Sequence, residues 1–321
     1  MWLRRRGLWV LGGLGFVTLL ALRRGEVAEL GATLLQGQWH WVLAAVALQA
    51  IFYVVYSLLY QLSFATVEVR SRLRDLVPLL FASLFVKALV PSGGVSALAL
   101  FVDDAARGGQ SAARTAEGAL LVLTADLVTM APLILYGLAY LHVRGVLQAY
   151  QVIGVAFFLV FTAGLVGILL VGRWRPGSVL ALMRWAQGVA NGLARRLRRK
   201  PFLDPGWARR QAREITGAAC DIAGHPQLLW RTLALAFVVH LINAGCLYAV
   251  ALAYRWPLGI GVAEAAMALA LASLGGGRDA ALATTVAFRG LNVWLPLFIG
   301  FLLLQRVRVF SGRYAAGVEN A

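Results

Sequence analysis

The sequence predicts an all-α, polytopic integral membrane protein with about six full spans and two re-entrant or broken helical segments in an inverted repeat. Of its 321 residues, 60% are hydrophobic, and the mean hydropathy of +0.76 is far above that of soluble globular proteins. The apolar residues occur in runs of about 20, the length that an α-helix needs to cross the hydrocarbon core. Lipid is therefore the predicted solvent for most of the chain.

The charge pattern supports this class. The chain carries 30 Lys and Arg against 14 Asp and Glu, a net charge of +16. In a soluble protein this excess would indicate nucleic acid, but here the arginines cluster between apolar segments, as in cytoplasmic loops of membrane proteins. Anionic lipids are therefore expected partners and nucleic acid is not. Cys220 and Cys246 form no C-x-x-C motif, so neither a disulfide framework nor a metal site is predicted.

Residues 1–39 are predicted to form an N-terminal membrane helix and a short connection. Three arginines at 4–6 precede an apolar run, which resembles a signal peptide. Arg23 and Arg24 stand where the small residues of a cleavage site would be expected. A retained membrane helix is therefore favoured over a cleaved leader.

The first membrane unit is predicted over residues 40–172. Its full spans are 40–66, 116–141 and 146–172. Segments 76–90 and 95–103 are also apolar but shorter than the roughly 20 residues of a span. They flank a Pro-Ser-Gly-Gly sequence at 91–94, which would break a helix. This pattern favours a re-entrant hairpin, and a single kinked membrane helix is the alternative.

Residues 173–227 are predicted to be a basic cytoplasmic linker. Apolar residues recur in it at helical spacing, with arginines on the opposite side: Leu182, Met183, Ala186, Val189, Leu193 and Leu197. The pattern favours an amphipathic helix on the membrane surface. A solvated cytoplasmic loop is the alternative.

The second membrane unit is predicted over residues 228–321, with full spans at 228–252 and 280–304 and a basic C-terminal tail. Between these spans, Gly259, Gly261 and Glu264 interrupt an apolar segment. Most basic clusters fall on one side of this arrangement, so both termini are expected in the cytoplasm and the protein in the cell inner (cytoplasmic) membrane.

Segments 91–126 and 257–292 align without a gap. The matched landmarks are Gly93 with Gly259, Gly109 with Gly275, and Asp126 with Asn292. Three predicted spans separate the two copies, and an odd number of crossings would invert the second copy, as in many transporters. Coincidence between Gly- and Ala-rich helices is the alternative.

Several stretches carry a resemblance to a known family: PSGG at 91–94, RGG at 107–109, Asp126, GVAEAA at 261–266 and ALATTVAFRGLNVWLPLFIG at 281–300. With these motifs the chain resembles the lysylphosphatidylglycerol synthase transmembrane region family, the flippase-like domain proteins, over roughly residues 10–310. The resemblance implies an inner-membrane protein that moves or handles lipids. The chain leaves no room for the soluble aminoacyl-transferase domain, so synthase activity is not implied. It departs from the family pattern at Val95, Ser96 and Leu123, which bears on head-group specificity.

Eight residues are predicted to line a path for a lipid head group: Lys87, Gly93, Gly94, Asp126, Gly261, Glu264, Arg289 and Asn292. Broken helices expose backbone N–H groups and positive helix N-termini, both of which suit phosphate. Close helix packing is the alternative role for the glycines. An uncompensated charge in a span costs about 2.5–3.5 kcal/mol. We therefore expect Lys87 to pair with Asp126, and Glu264 with Arg289, either as part of the path or as structural pairs.

Other polar residues have weaker assignments. Asp103 and Asp104 are expected at the surface near the end of the hairpin. Arg114 and Glu117, three residues apart, are expected to form an interfacial pair. His240 and Asn243 lie within a predicted span, where they would either line the path or be satisfied core residues.

The sequence contains none of the nucleophile-elbow, zinc-protease or Walker A motifs, so no catalytic residue, cofactor or metal is predicted. The predicted function is translocation or handling of a lipid with a phosphate-containing head group: a phospholipid, a glycolipid or a polyprenyl-linked lipid. The alternatives are a membrane-embedded glycosyl- or phosphotransferase, and a non-transporting accessory protein of envelope lipid or glycan synthesis. Beyond membrane lipids, a second copy or a partner enzyme of envelope lipid synthesis is considered as a partner.

Overall fold

The computed structural model describes residues 37–89, 95–145, 147–196, 203–254, 284, 287–288 and 290–303. The regular secondary structure of these residues is helical, without strands. The α-helices of the described part are, in chain order, α1 Trp39–Thr66, α2 Leu73–Leu89, α3 Val95–Arg107, α4 Ala112–Val143, α5 Ala149–Trp174, α6 Pro176–Arg196, α7 Trp207–Gly224, α8 Pro226–Ala253 and α9 Leu295–Leu303. A π-helix, Gly290–Trp294, leads directly into α9. The predicted N-terminal helix, the break at 91–94 and the segment 258–274 lie outside the described residues.

Four helices, α1, α4, α5 and α8, are long and apolar enough to cross a membrane. They coincide with four of the predicted spans, so the all-α membrane fold is confirmed. The described part of the last predicted span is the shorter apolar stretch Gly290–Leu303. The total number of spans and the inverted repeat stay predictions. Helix α5 is the most exposed of the four, with 6% of its most apolar window buried inside the protein.

Helix α1 is the centre of the bundle and runs antiparallel to α8. The two meet where the Gln38 backbone N–H donates to the Ala253 carbonyl at 3.0 Å. Small residues line the contact, among them Ala45 on α1 and Ala249 on α8, both buried. Small side chains let membrane helices approach closely, and dispersion contacts then hold them together.

Aromatic side chains fill the space between α1, α2 and α3. The rings of Tyr60 and Phe101 stack with centroids 4.4 Å apart, and those of Tyr53 and Phe81 lie 4.7 Å apart. Helix α9 packs on α2 at Gly300, where any side chain would collide with the backbone of Phe81. The glycine is therefore required for this close crossing.

One end of the bundle collects most of the described arginines, and we call it the basic end. It comprises the loop 67–72 after α1 together with α6 and α7. The loop is joined to the start of α4 by an ion pair of 2.7 Å between Glu68 and Arg114, and α7 packs on the ends of α4 and α5. Among the described arginines, Arg144 lies at the opposite end. This asymmetry is the one that the positive-inside rule describes.

Two local predictions are wrong. Arg114 pairs with Glu68 rather than with Glu117, because Glu68 adopts a positive φ of 58° that turns the chain back toward α4. Asp104 is 9% exposed rather than at the surface. It lies one residue further round α3 than Asp103, which pairs with Arg107 at 3.0 Å.

The apolar residues of α6 lie within one broad side of the helix, part of which is covered by protein. Met183 and Ala186 are half-buried and lie on the same side as Val179, which is 1% exposed. Leu182 and Val189 are exposed. Helix α6 packs on α7, and Leu182 and Val189 stay exposed at the edge of this side.

Candidate functional site

Asp126 and His240 meet near the midpoints of two apolar helices, α4 and α8. His240 Nε2 lies 2.9 Å from the backbone oxygen of Asp126 and 3.4 Å from its Oδ1. Both oxygens are acceptors, so Nε2 carries the hydrogen and donates it. The His240 side chain is 13% exposed and that of Asp126 31%. The pairing compensates an acidic group in a span while leaving part of the carboxylate accessible.

Helices α1 and α2 complete the surroundings of Asp126. The rings of Tyr56 and Tyr60 of α1 lie 5.6 Å apart, and both phenols interact electrostatically with the Asp126 carboxylate. Lys87, near the end of α2, is exposed and exerts a favourable electrostatic effect on the same carboxylate. The carboxylate therefore lies between a histidine, two phenols and an accessible ammonium group.

A second polar group lies where α1 and α8 meet the π-helix. Gln49, which is 0% exposed, donates from Nε2 to Asn292 Oδ1 at 3.4 Å and accepts from Cys246 Sγ at 3.3 Å. The Tyr53 hydroxyl donates to the Leu291 carbonyl at 2.9 Å. Asn292 and Leu291 both belong to the π-helix, an irregularity that is frequent at functional sites.

Asn243 lies between the two groups along α8. It lies three residues from both His240 and Cys246, so the three side chains follow one face of α8. Its Oδ1 is buried without a hydrogen-bond partner in the described structure. From His240 to Cys246 the line rises about 9 Å along the helix.

We call this line the central polar track. It consists of Asp126, His240, Asn243, Gln49 and Asn292. The track can offer a charge, amide donors and acceptors, and one acceptor that has no partner among the described residues. No group of three or more His, Cys, Asp or Glu side chains that could hold a metal ion occurs in the part of the chain that the structure describes.

The predicted site residues divide into two sets. Lys87, Asp126 and Asn292 are described: Lys87 and Asp126 lie near one end of the track and Asn292 at the other. The remaining five lie outside the described residues: Gly93, Gly94, Gly261, Glu264 and Arg289.

The sequence analysis missed Gln49 and Tyr53. A signal was present, because Gln49 is the single amide in an otherwise apolar stretch from Val42 to Val55. Polar side chains in membrane helices usually bond across to a neighbouring helix. Their partners on α8 and on the π-helix become visible only in the folded bundle.

Comparisons with known proteins agree with the all-helical membrane architecture. No curated protein and no solved structure gives a significant match to the chain. A family model described as "Lysylphosphatidylglycerol synthase TM region" matches residues 7–259. This range covers most of the chain and includes Gln49, Asp126 and His240, and it ends before Asn292. The chain therefore belongs to the lysylphosphatidylglycerol synthase TM region family and is a multi-pass membrane protein related to lipid synthesis and flippase-like functions.

Proposed function

We propose that the protein translocates a lipid with a phosphate-containing head group across the cell inner membrane, and that the head group moves along the central polar track. The buried Oδ1 of Asn243, which has no hydrogen-bond partner in the described part of the chain, is the observation that carries the proposal. A buried polar atom without a hydrogen bond costs about 1–3 kcal/mol. A purely structural network has no reason to retain that cost, whereas an acceptor on a path can bond the hydroxyl or ammonium groups of a passing head group. The phosphate of the same head group needs donors instead.

The chemistry of the track suits such a cargo. A phosphate group in hydrocarbon must exchange its water for protein donors and positive charge. Lys87 supplies an accessible ammonium group, and His240 and Gln49 supply N–H donors. The apolar surfaces of α4 and α5 would leave the lipid tails in contact with the bilayer. Family membership supports lipid as the class of substrate.

The proposal also assigns an orientation of the protein in the membrane. With the basic end in the cytoplasm, both termini are cytoplasmic as well, and anionic lipids face the arginines of α6 and α7. Asp126 and Asn292, the aligned residues of the two sequence copies, lie near opposite ends of the track. This supports an inverted repeat in which each copy contributes one end.

The test uses purified full-length protein in vesicles with fluorescent phosphatidylglycerol, phosphatidylethanolamine or a polyprenyl phosphate. Lipid movement between leaflets is followed by quenching of the outer leaflet. We expect the wild type to move at least one class, and Asp126→Asn to slow it about tenfold or more, because hydrogen bonds to charged groups contribute about 1.5–3 kcal/mol.

Asp103→Asn is the matched control, since Asp103 is an acidic residue on α3 whose partner is Arg107. Failure of every lipid class to move, or equal rates for the wild type and Asp126→Asn, would contradict the proposal. Formation of a new lipid product, lost in Asp126→Asn, would instead support a transferase.

A further inference from the structure

A cavity of about 490 Å³ opens at the basic end, between the loop after α1, the start of α2 and the end of α3. Its polar side is formed by Arg70, Ser71 and Arg72. Its apolar wall includes Phe64 and Phe101. The cavity is therefore amphipathic, and it is distinct from the central polar track.

The polar side has the groups that bind a phosphate. Arg70 and Arg72 are both exposed, and they flank Ser71 in the sequence. The Ser71 hydroxyl oxygen is buried without a hydrogen-bond partner among the described residues. Guanidinium groups match phosphate oxygens in geometry and charge, and a hydroxyl can supply a further donor.

The loop that carries these groups is held from two sides. Gln61 Nε2 of α1 donates to the Ser71 carbonyl at 3.1 Å. The Arg70 backbone N–H donates to Gln110 Oε1 at 3.3 Å. The backbone of the site is thus fixed before a ligand arrives, which lowers the entropy cost of binding.

Two carboxylates limit the charge that the ligand can carry. Asp75 and Asp104 line the same cavity, and each already takes part in an interaction. Two guanidinium groups and two carboxylates sum to no net charge, so a phosphate monoester or a diphosphate would bring two or more negative charges that the site does not compensate. A singly charged phosphodiester fits better.

The apolar wall and the depth of the cavity favour a lipid. Phe64, Leu79 and Phe101 are 2–3% exposed and continue into the aromatic cluster between α1, α2 and α3. From Tyr56 beside Asp126 to the end of α1 at Thr66 the chain rises about 15 Å. This is half the thickness of a hydrocarbon core of about 30 Å, so the cavity lies at the level of the head groups of one leaflet.

We infer that this cavity binds a phosphodiester lipid of the leaflet at the basic end. Arg70 and Arg72 hold the phosphate, Ser71 donates to it, and the wall at Phe64 and Phe101 contacts the first carbons of the tails. The role as a loading site for the central polar track rests on the proposed function, whereas the binding itself does not.

The test measures binding to full-length protein in detergent with four probes. These are dioctanoyl phosphatidylglycerol, dioctanoylglycerol, glycerophosphoglycerol and inorganic phosphate. We expect the phospholipid to bind, and the double variant Arg70→Gln/Arg72→Gln to weaken its binding about tenfold or more through loss of two charge-assisted contacts. Dioctanoylglycerol, which has the tails without the phosphate, should bind poorly to both proteins.

The matched control is Arg209→Gln/Arg213→Gln, which removes two exposed arginines of α7 outside the cavity and should bind like the wild type. If the arginine variant does not fold, Leu79→Trp fills the cavity from its apolar wall with both arginines intact and should also abolish binding. Unchanged binding in both variants would overturn the site. Equal binding of glycerophosphoglycerol or inorganic phosphate and the phospholipid would overturn the lipid assignment.

The binding assay and the vesicle assay together distinguish this lipid site from the proposed translocation. Binding by the wild type without movement of any lipid in vesicles contradicts the translocation proposal and leaves this site intact. If the variants at Arg70, Arg72 and Leu79 bind the phospholipid like the wild type and also move lipid at the wild-type rate, only this site is contradicted.

Discussion

At the scale of single residues, the Asp126–His240 contact keeps an acidic side chain tolerable at the middle of an apolar helix. The imidazole nitrogen lies 3.4 Å from the carboxylate. Removing it leaves a partly buried acid with a more distant positive charge on Lys87. Loss of one partner is expected to cost more than loss of both.

We therefore predict that His240→Ala lowers the stability of the detergent-solubilised protein by about 1–3 kcal/mol. The double variant Asp126→Leu/His240→Ala should be more stable than His240→Ala alone. Thermal unfolding measures both, with His225→Ala, an exposed histidine between α7 and α8, as the control. A double variant less stable than the single one would contradict the pairing.

Replacement of Asn243 is expected to change the stability in the opposite direction. Because its Oδ1 is buried without a partner in the described part of the chain, Asn243→Leu should raise stability by about 1 kcal/mol. The same change should slow lipid movement in vesicles if the track is the path. A loss of stability in thermal unfolding would show that the amide is structurally required.

At the scale of elements, α6 packs on α7 and leaves part of its apolar side exposed. The exposed part carries Leu182, Trp185 and Val189, of which Trp185 is 67% exposed. The helix follows α5 after a single residue, Arg175, and Trp174 at that junction is 72% exposed. An exposed apolar face beside tryptophan and arginine is typical of a helix in the membrane interface.

We predict that a spin label at Val189→Cys collides more often with oxygen than with a water-soluble nickel complex, and that a label at Arg184→Cys does the reverse. Both are placed in a Cys220→Ser background, since Cys246 is buried. The difference should be larger in phosphatidylglycerol than in phosphatidylcholine vesicles. Equal water accessibility at both positions would favour a solvated loop.

The elements that the sequence predicts well are those whose signal is local. Spans 40–66 and 228–252 match α1 and α8 because a long apolar run suffices to define a membrane helix. Helix α4 begins before the predicted 116, since the Ser111 hydroxyl accepts from the Arg114 N–H and caps a further turn. The faces of α6 and the partners of Gln49 depend on which helix packs alongside, and periodicity alone does not contain that information.

At the scale of the whole molecule, the charge asymmetry predicts an orientation in the membrane, and the native cysteines can report it. Cys220 is exposed on α7 at the basic end, whereas Cys246 is buried. We predict that a membrane-impermeant maleimide labels Cys220 only after cells are permeabilised. In Cys220→Ser, a cysteine introduced by Arg144→Cys at the opposite end should be labelled in intact cells. The reverse labelling pattern would show that the basic end faces the outside of the cell.

The π-helix at Gly290–Trp294 has a consequence for motion. Each residue of an α-helix advances by about 100°, so one extra residue in a wide turn changes the direction of every side chain after it. Asn292 contacts Gln49 and Gly300 lies against Phe81 only while that extra residue stays where it is. Asn292 therefore cannot rotate toward another partner by itself. For Asn292 to change its partner, either the wide turn must migrate along the helix or α9 must move away from α2. The inserted residue therefore couples the hydrogen bonds of the interior to the packing of α9.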